Sequence, residues 1–136
     1  MSAAATPNAA PSNRVGRPAG GGPVALQRHG RVSVLRPSLP LAGDDLDAVK
    51  AVVAGMIEHD GVDPAAVVID LSSTALIDGR GLEWLLDLDD AAAIAGGCVS
   101  LAAANELCVD ILRISGVGPR LGGVRNLQQA MAVHNR

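Results

Sequence analysis

The chain has 136 residues, 49% of them hydrophobic, which suits one ordinary domain with a single core and no need of disulfide or metal support. It contains no Phe and no Tyr, and Trp84 is its one aromatic residue, so packing relies on Leu, Val, Ile, Ala and Met and base stacking is excluded. A net charge of −3 argues against a phosphate-backbone binder, so no nucleic-acid partner is expected.

Residues 1–23 are dominated by Ala, Pro, Gly, Ser and Asn with Arg14 and Arg17, and end in Gly20-Gly21-Gly22-Pro23. Such a segment has too little apolar surface to offset its ordering entropy, and it is predicted to be a disordered tail. The glycine triplet is no phosphate loop, since no strand precedes it and no Gly-Lys-Ser/Thr follows. Ala3 to Ala10 is broken by Thr6, Pro7 and Asn8, so a signal-peptide core is lacking, and no apolar run approaches the roughly 20 residues of a membrane span. Cys98 and Cys108 are too few for a disulfide framework or a zinc site and read as reduced thiols. A cytoplasmic protein is the expectation.

The ordered domain is expected over residues 24–136. Val24–Arg28 and Arg31–Leu35 read as two strands joined by a tight turn at His29-Gly30, with Pro37 and Pro40 ending the pairing. Asp44 or Asp45 can cap a helix running to His59, whose apolar face is Leu46, Val49, Val52, Val53, Met56 and Ile57. Ala66–Leu71 is a nearly continuous apolar run, as in a strand buried on both faces. Past Ser72, Ser73 and Thr74, a second helix is predicted from Gly79 to Ala95, then a buried strand over Cys98–Ala102. Asn105 or a neighbour caps a third helix to Ile114, closed by Ser115-Gly116. A short strand near Val124 and a helix over Leu127–Val133 complete the chain. Helices alternating with buried strands imply crossover connections and an α/β fold with a central mixed sheet flanked by about four helices.

Two stretches carry the functional signal: Val67-Val68-Ile69-Asp70-Leu71-Ser72 and Leu76-Ile77-Asp78-Gly79-Arg80-Gly81-Leu82. Together they resemble the signature of STAS domains of the anti-sigma factor antagonist type. There a buried strand ends Asp-Leu-Ser, and an apolar-Asp-Ser-Ser/Thr-Gly-Leu run opens the next helix. Gly96-Gly97 and Leu112-Arg113-Ile114-Ser115-Gly116-Val117 are similar to two further family elements. The resemblance spans residues 24–133 and implies a STAS fold and a regulatory module that binds an anti-sigma factor or a serine-kinase-like ATPase, with no cofactor.

In that family the first Ser after the Asp is phosphorylated by the partner kinase. This chain has Gly79 there and Arg80 next, and neither accepts phosphate, so the resemblance implies binding without the usual serine switch. Three readings of the substitution stand side by side. The chain is permanently in the unphosphorylated charge state, with Arg80 reaching an acidic group on the partner; or control has moved to Ser72, Ser73 or Thr74; or Arg80 and the helix N–H groups hold a small anion. The structural alternatives are a plain helix cap for Asp78, a solvated Arg80 and turn roles for the three hydroxyls.

Glu83, Asp87 and Asp90 recur on one face of the second helix, and Trp84 lies beside them, either as core or as an interface anchor. The expected partner-binding set is therefore Asp78, Gly79, Arg80, Gly81, Glu83, Trp84 and Asp87. His29, His59 and His134 fall at a turn, a helix end and the C-terminal tail, so no His pairs with a Ser or Cys for catalysis. Asp87, Asp89 and Asp90 lack calcium-loop spacing, and Gly79-x-Gly81 is too short for a dinucleotide fingerprint. A binding protein is expected rather than an enzyme. Two further roles fit the resemblance: a structural STAS subunit of a signalling assembly, or an accessory STAS subunit of a lipid-transport ATPase.

Overall fold

The computed structural model describes residues 22–135; residues 1–21 of the expected tail lie outside them. The elements in chain order are β1 (Val24–His29), β2 (Val32–Pro37), α1 (Gly43–His59), β3 (Ala66–Asp70), α2 (Gly79–Ile94), β4 (Cys98–Ala102), α3 (Glu106–Ser115), α4 (Val117–Arg120), β5 (Val124–Arg125) and α5 (Leu127–Ala132). The strands lie side by side in that same order, β1 antiparallel to β2 and the rest parallel. Because parallel crossovers are right-handed, a sheet that only ever steps in one direction puts its crossover helices on one face. The mixed α/β sheet read from the sequence is therefore the fold, with α1, α2, α3 and α4 layered over one side.

Strand alternation then divides the core. Leu35, Val67, Ile69, Val99 and Leu101 face the crossover helices, whereas Val32, Val34, Val68 and Ala102 face the other way and meet Ala130 of α5. All five residues of β3 are buried, as a strand covered on both faces requires.

Several boundaries differ from expectation for physical reasons. The β1–β2 turn is Gly30-Arg31, with His29 opposite Val32 and Gly30 at φ 64°. Pro37 does not end β2 early: it lies opposite Val24, and β3 pairs only with Ser33–Leu35, so no ladder bond needs its missing N–H. Neither Asp44 nor Asp45 caps α1, whose N-cap is Ala42 with no side-chain bond of its own. On α2 the buried positions are Gly81, Trp84, Leu85 and Ala92, not the expected Leu82, Leu85, Leu86 and Ala93. The contact stripe is rotated because α1 lies along one flank, where Leu88 and Ala91 meet Val53 and Ile57. His134 is no loose tail; it is only 6% exposed.

Backbone proximity fixes two glycines. A Cβ on Gly97, at the entry to β4, would overlap the carbonyl of Ala65, whereas one on Gly55, in mid α1, would meet open space. We predict that Gly97→Ala lowers unfolding free energy by about 1–3 kcal/mol through overpacking. Gly55→Ala is expected to raise it by about 0.5–1 kcal/mol through helix propensity. Urea titration reads both, and equal effects at the two sites would contradict this packing.

Candidate functional site

Leu41 donates its N–H to the Leu76 carbonyl at 3.0 Å, and its own carbonyl accepts from Asp78 N–H at 3.1 Å. This short parallel bridge brings the chain entering α1 against the chain entering α2. Asp78 then serves both helices. Its Oδ1 accepts from Gly81 N–H at 2.9 Å, the ordinary N-cap bond of α2, and its Oδ2 accepts from Gly43 N–H at 3.1 Å, in the first turn of α1. The bond from Gly81 first, the bond from Gly43 next and the Arg80 charge hold the Asp78 carboxyl below its ordinary range. A single carboxylate thus satisfies orphan donors of two helix N-termini, which is why α1 needs no cap from Asp44 or Asp45.

Gly81 completes the joint. A Cβ there would overlap the Leu41 carbonyl oxygen and crowd Ile77, so this glycine is required by backbone packing and is buried. Its expected role as a partner contact is corrected accordingly. Trp84 is likewise corrected: it is 7% exposed and packs in the core, the bland alternative of the two read from the sequence.

What remains exposed around the joint is Gly79, Arg80, Glu83 and Asp87, with Asp78 half-buried beneath them. Gly79 has open space where a side chain would project. Arg80 does not extend freely outward; it pairs with Asp47 of α1 at 2.7 Å and lies 3.4 Å from the Gly43 carbonyl. Both partners of that ion pair are more than half exposed, so it orients the guanidinium without fixing it strongly.

The adjacent loop separates its three hydroxyls. Thr74 is 1% exposed with Oγ1 directed at the Pro37 carbonyl, so it is removed as an accessible modification site. Ser72 and Ser73 are exposed and form a turn in which Thr74 N–H donates to the Leu71 carbonyl. Asp70, buried at the end of β3, accepts from Ser72 N–H at 2.9 Å. Asp70 and Asp78 are thus each engaged by backbone, and no pair of carboxylates forms from them. Asn105 ties the start of α3 to this loop: it caps α3 through Cys108 N–H at 2.8 Å and donates to the Thr74 carbonyl at 3.1 Å.

One arrangement was not legible locally. Ser100 in β4 and His134 meet on the opposite sheet face, with Oγ 3.0 Å from Nε2, and Ser100 also donates to the Ala130 carbonyl at 2.9 Å. The expectation that no His meets a Ser is therefore wrong. A serine inside an otherwise apolar buried strand was the available signal, because it demands a partner. Both residues are buried, at 0% and 6% exposure, and the pair fastens α5 to the sheet.

Solved structures share this architecture. A candidate anti-sigma factor antagonist from Thermotoga maritima matches with a TM-score of 0.73 at 18% identity, over 83% of this chain and 95% of that one. An anti-sigma-factor antagonist (STAS) domain protein from Planctomyces limnophilus matches with a TM-score of 0.67 at 16% identity, over 83% and 98%. The chain has the STAS-domain fold. The anti-sigma factor antagonist SpoIIAA in its unphosphorylated form matches this STAS domain with a TM-score of 0.63 at 16% identity, over 79% and 92%. No protein-family model and no curated protein sequence matches the chain. Among the described residues, no helix of the STAS domain is long and apolar enough to cross a membrane.

Burial, and secondarily the Arg31 and Arg125 charges, push the His134 imidazole below its ordinary value of 6.5, against a backbone bond at Val67 that raises it. The unfolded chain then binds the extra proton first, so this group's contribution to stability is lost as pH falls below 6.5. Thermal unfolding of wild type and His134→Gln across pH 7.5 to 5 is the check. Wild type is expected to lose the larger share of its stability; parallel curves would contradict a buried neutral imidazole.

Proposed function

We propose that this STAS domain is a protein-binding regulator, not a catalyst, acting in the cytoplasm on an anti-sigma factor or a serine-kinase-like ATPase. The partner face is the joint between α1 and α2, where Gly79 and Arg80 stand exposed on a backbone held by Asp78. The observation that carries this reading is the rigid, doubly capped opening of α2 at the place where the resembling family presents its phosphorylated serine, here without a hydroxyl. Arg80 on Asp47 supplies an orientable cation, and Glu83 and Asp87 supply an acidic flank. A partner carboxylate can take Arg80 from Asp47 at small cost, because the exposed pair is weak. Asp44, Asp45, Asp47 and Asp87 would steer a basic partner surface.

The binding unit works without a serine switch: a cognate kinase leaves the wild type unmodified. Gly79→Ser, which the open space tolerates, restores an acceptor. Ser72 and Ser73 are the remaining exposed hydroxyls near the joint.

Affinity capture with the tagged full chain, identified by mass spectrometry, should recover such an ATPase, and its absence sinks this reading. With that partner in hand, Arg80→Glu and Asp87→Lys should each weaken binding roughly tenfold, as charge reversal at an interface typically does, with little change in melting temperature. Calorimetry giving undiminished affinity removes them from the site. Intact-mass analysis should show phosphate transfer to Gly79→Ser only; transfer to wild type would overturn the switchless reading.

A further inference from the structure

On the flank of α2 away from α1, a second surface is built by α2 and α3 together. The two helices start side by side, since Asn105 bonds the Thr74 and Ala75 carbonyls just before α2. Farther along, α4 holds them together, because Arg120 pairs with Asp90 of α2 at 3.2 Å and α4 packs on α3. Between these two ties α3 rests on α4, not on α2.

Helical spacing of about 100° per residue orients the facing sides. Cys108 and Leu112 of α3 point into the core, and Val109 and Arg113 line a cleft with Pro119 and Val124 on the β5 side. Leu107, Ile111 and Ile114, spaced i, i+4 and i+7, therefore run along the α2 side. Leu107 is 54% and Ile114 76% exposed, with Ile111 half-buried between them. On α2, the α1 flank is marked by Leu88 and Ala91, which places half-buried Leu82 and Leu86 on the flank facing α3. An apolar trough results, floored by Leu82, Leu86 and Ile111 and walled by Leu107 and Ile114.

Its rim is acidic. Asp90 is held by Arg120 and Asp110 by Arg113, whereas among the described residues Glu83, Asp87 and Glu106 enter no ion pair. An apolar channel of one helix's width with uncompensated carboxylates along its edges complements an amphipathic helix whose polar face carries Lys or Arg.

We propose that the α2–α3 trough docks a basic amphipathic helix of the partner protein, separately from the α1–α2 joint. This rests on the binding reading above, which the joint variants test independently.

The probe is an 18-residue helical peptide of Leu and Lys at i, i+3, i+4, i+7 spacing, titrated into the 15N-labelled full chain, with a Leu/Glu peptide of the same apolar pattern as control. Amide shifts at Leu82, Leu86, Leu107, Ile111 and Ile114 are expected, weakening as salt rises. The double variant Leu107→Ser, Ile114→Ser should bind about tenfold or more weakly, as loss of two apolar anchors implies, with an unchanged melting curve.

Shifts confined to Asp44–Asp47, equal binding of the Leu/Glu peptide, or undiminished binding by the double variant would overturn the proposal. So would trough shifts that appear on raising protein concentration alone, which would assign the trough to a second copy. Trough shifts caused by Arg14→Glu with Arg17→Glu, without peptide, would assign it to the chain's own N-terminal residues and overturn it as well. If the peptide binds the trough but no ATPase partner is captured, the joint reading fails alone. If Arg80→Glu weakens the captured partner while the trough stays empty, the trough proposal fails alone.

Discussion

Asp78 spends its two carboxylate oxygens on two different helices, and the geometry of the whole helical face at that end of the sheet depends on it. Oδ1 holds the first turn of α2 and Oδ2 the first turn of α1, across 35 residues of sequence. The two positive helix ends converge on one negative group, which is favourable for both macrodipoles at once. The convergence is possible only because Leu41 bridges to Ile77 and because Gly81 leaves room for the Leu41 carbonyl. A residue that reads as an ordinary N-cap is thus also the fastening between two crossover units.

That fastening has consequences for recognition. Binding surfaces made of loops lose affinity to the entropy of ordering them, and a pre-organised backbone avoids this loss. Here Gly79 and Arg80 sit at the opening of a helix whose first turn is held from two sides, so the surface they present is set before any partner arrives. The aromatic-poor core serves the same end. With Trp84 drawn into the interior, the exposed anchors are aliphatic, and the largest of them gather along α3 rather than at the joint. Charge and apolar surface are thereby divided between two neighbouring regions of one helical layer.

The sequence disclosed what is local. The buried runs of β3 and β4, the Asn105 cap of α3 and the glycine that closes it follow from composition and spacing within a few residues, and the structure has them. So does the α/β class, because alternation of helix and buried strand leaves few topologies. What escaped was long-range. The cap of α1 is supplied from 35 positions away, and Ser100 meets His134 across 34. Neither is encoded by neighbouring residues. Trp84 and Gly81 were placed on the correct helix but given to the wrong surface, since which flank α1 covers is a tertiary matter. The single turn of α4 was not anticipated at all, being too short to show a period.

The double role of Asp78 is open to direct measurement by amide hydrogen exchange on wild type and Asp78→Ala, followed at Gly43 and Gly81. If one carboxylate serves both helices, the substitution accelerates exchange at both amides together while Cys108, capped by Asn105, keeps its protection. Acceleration at Gly81 alone, with Gly43 unchanged, would show that Asp78 is a cap for α2 only and would contradict the account.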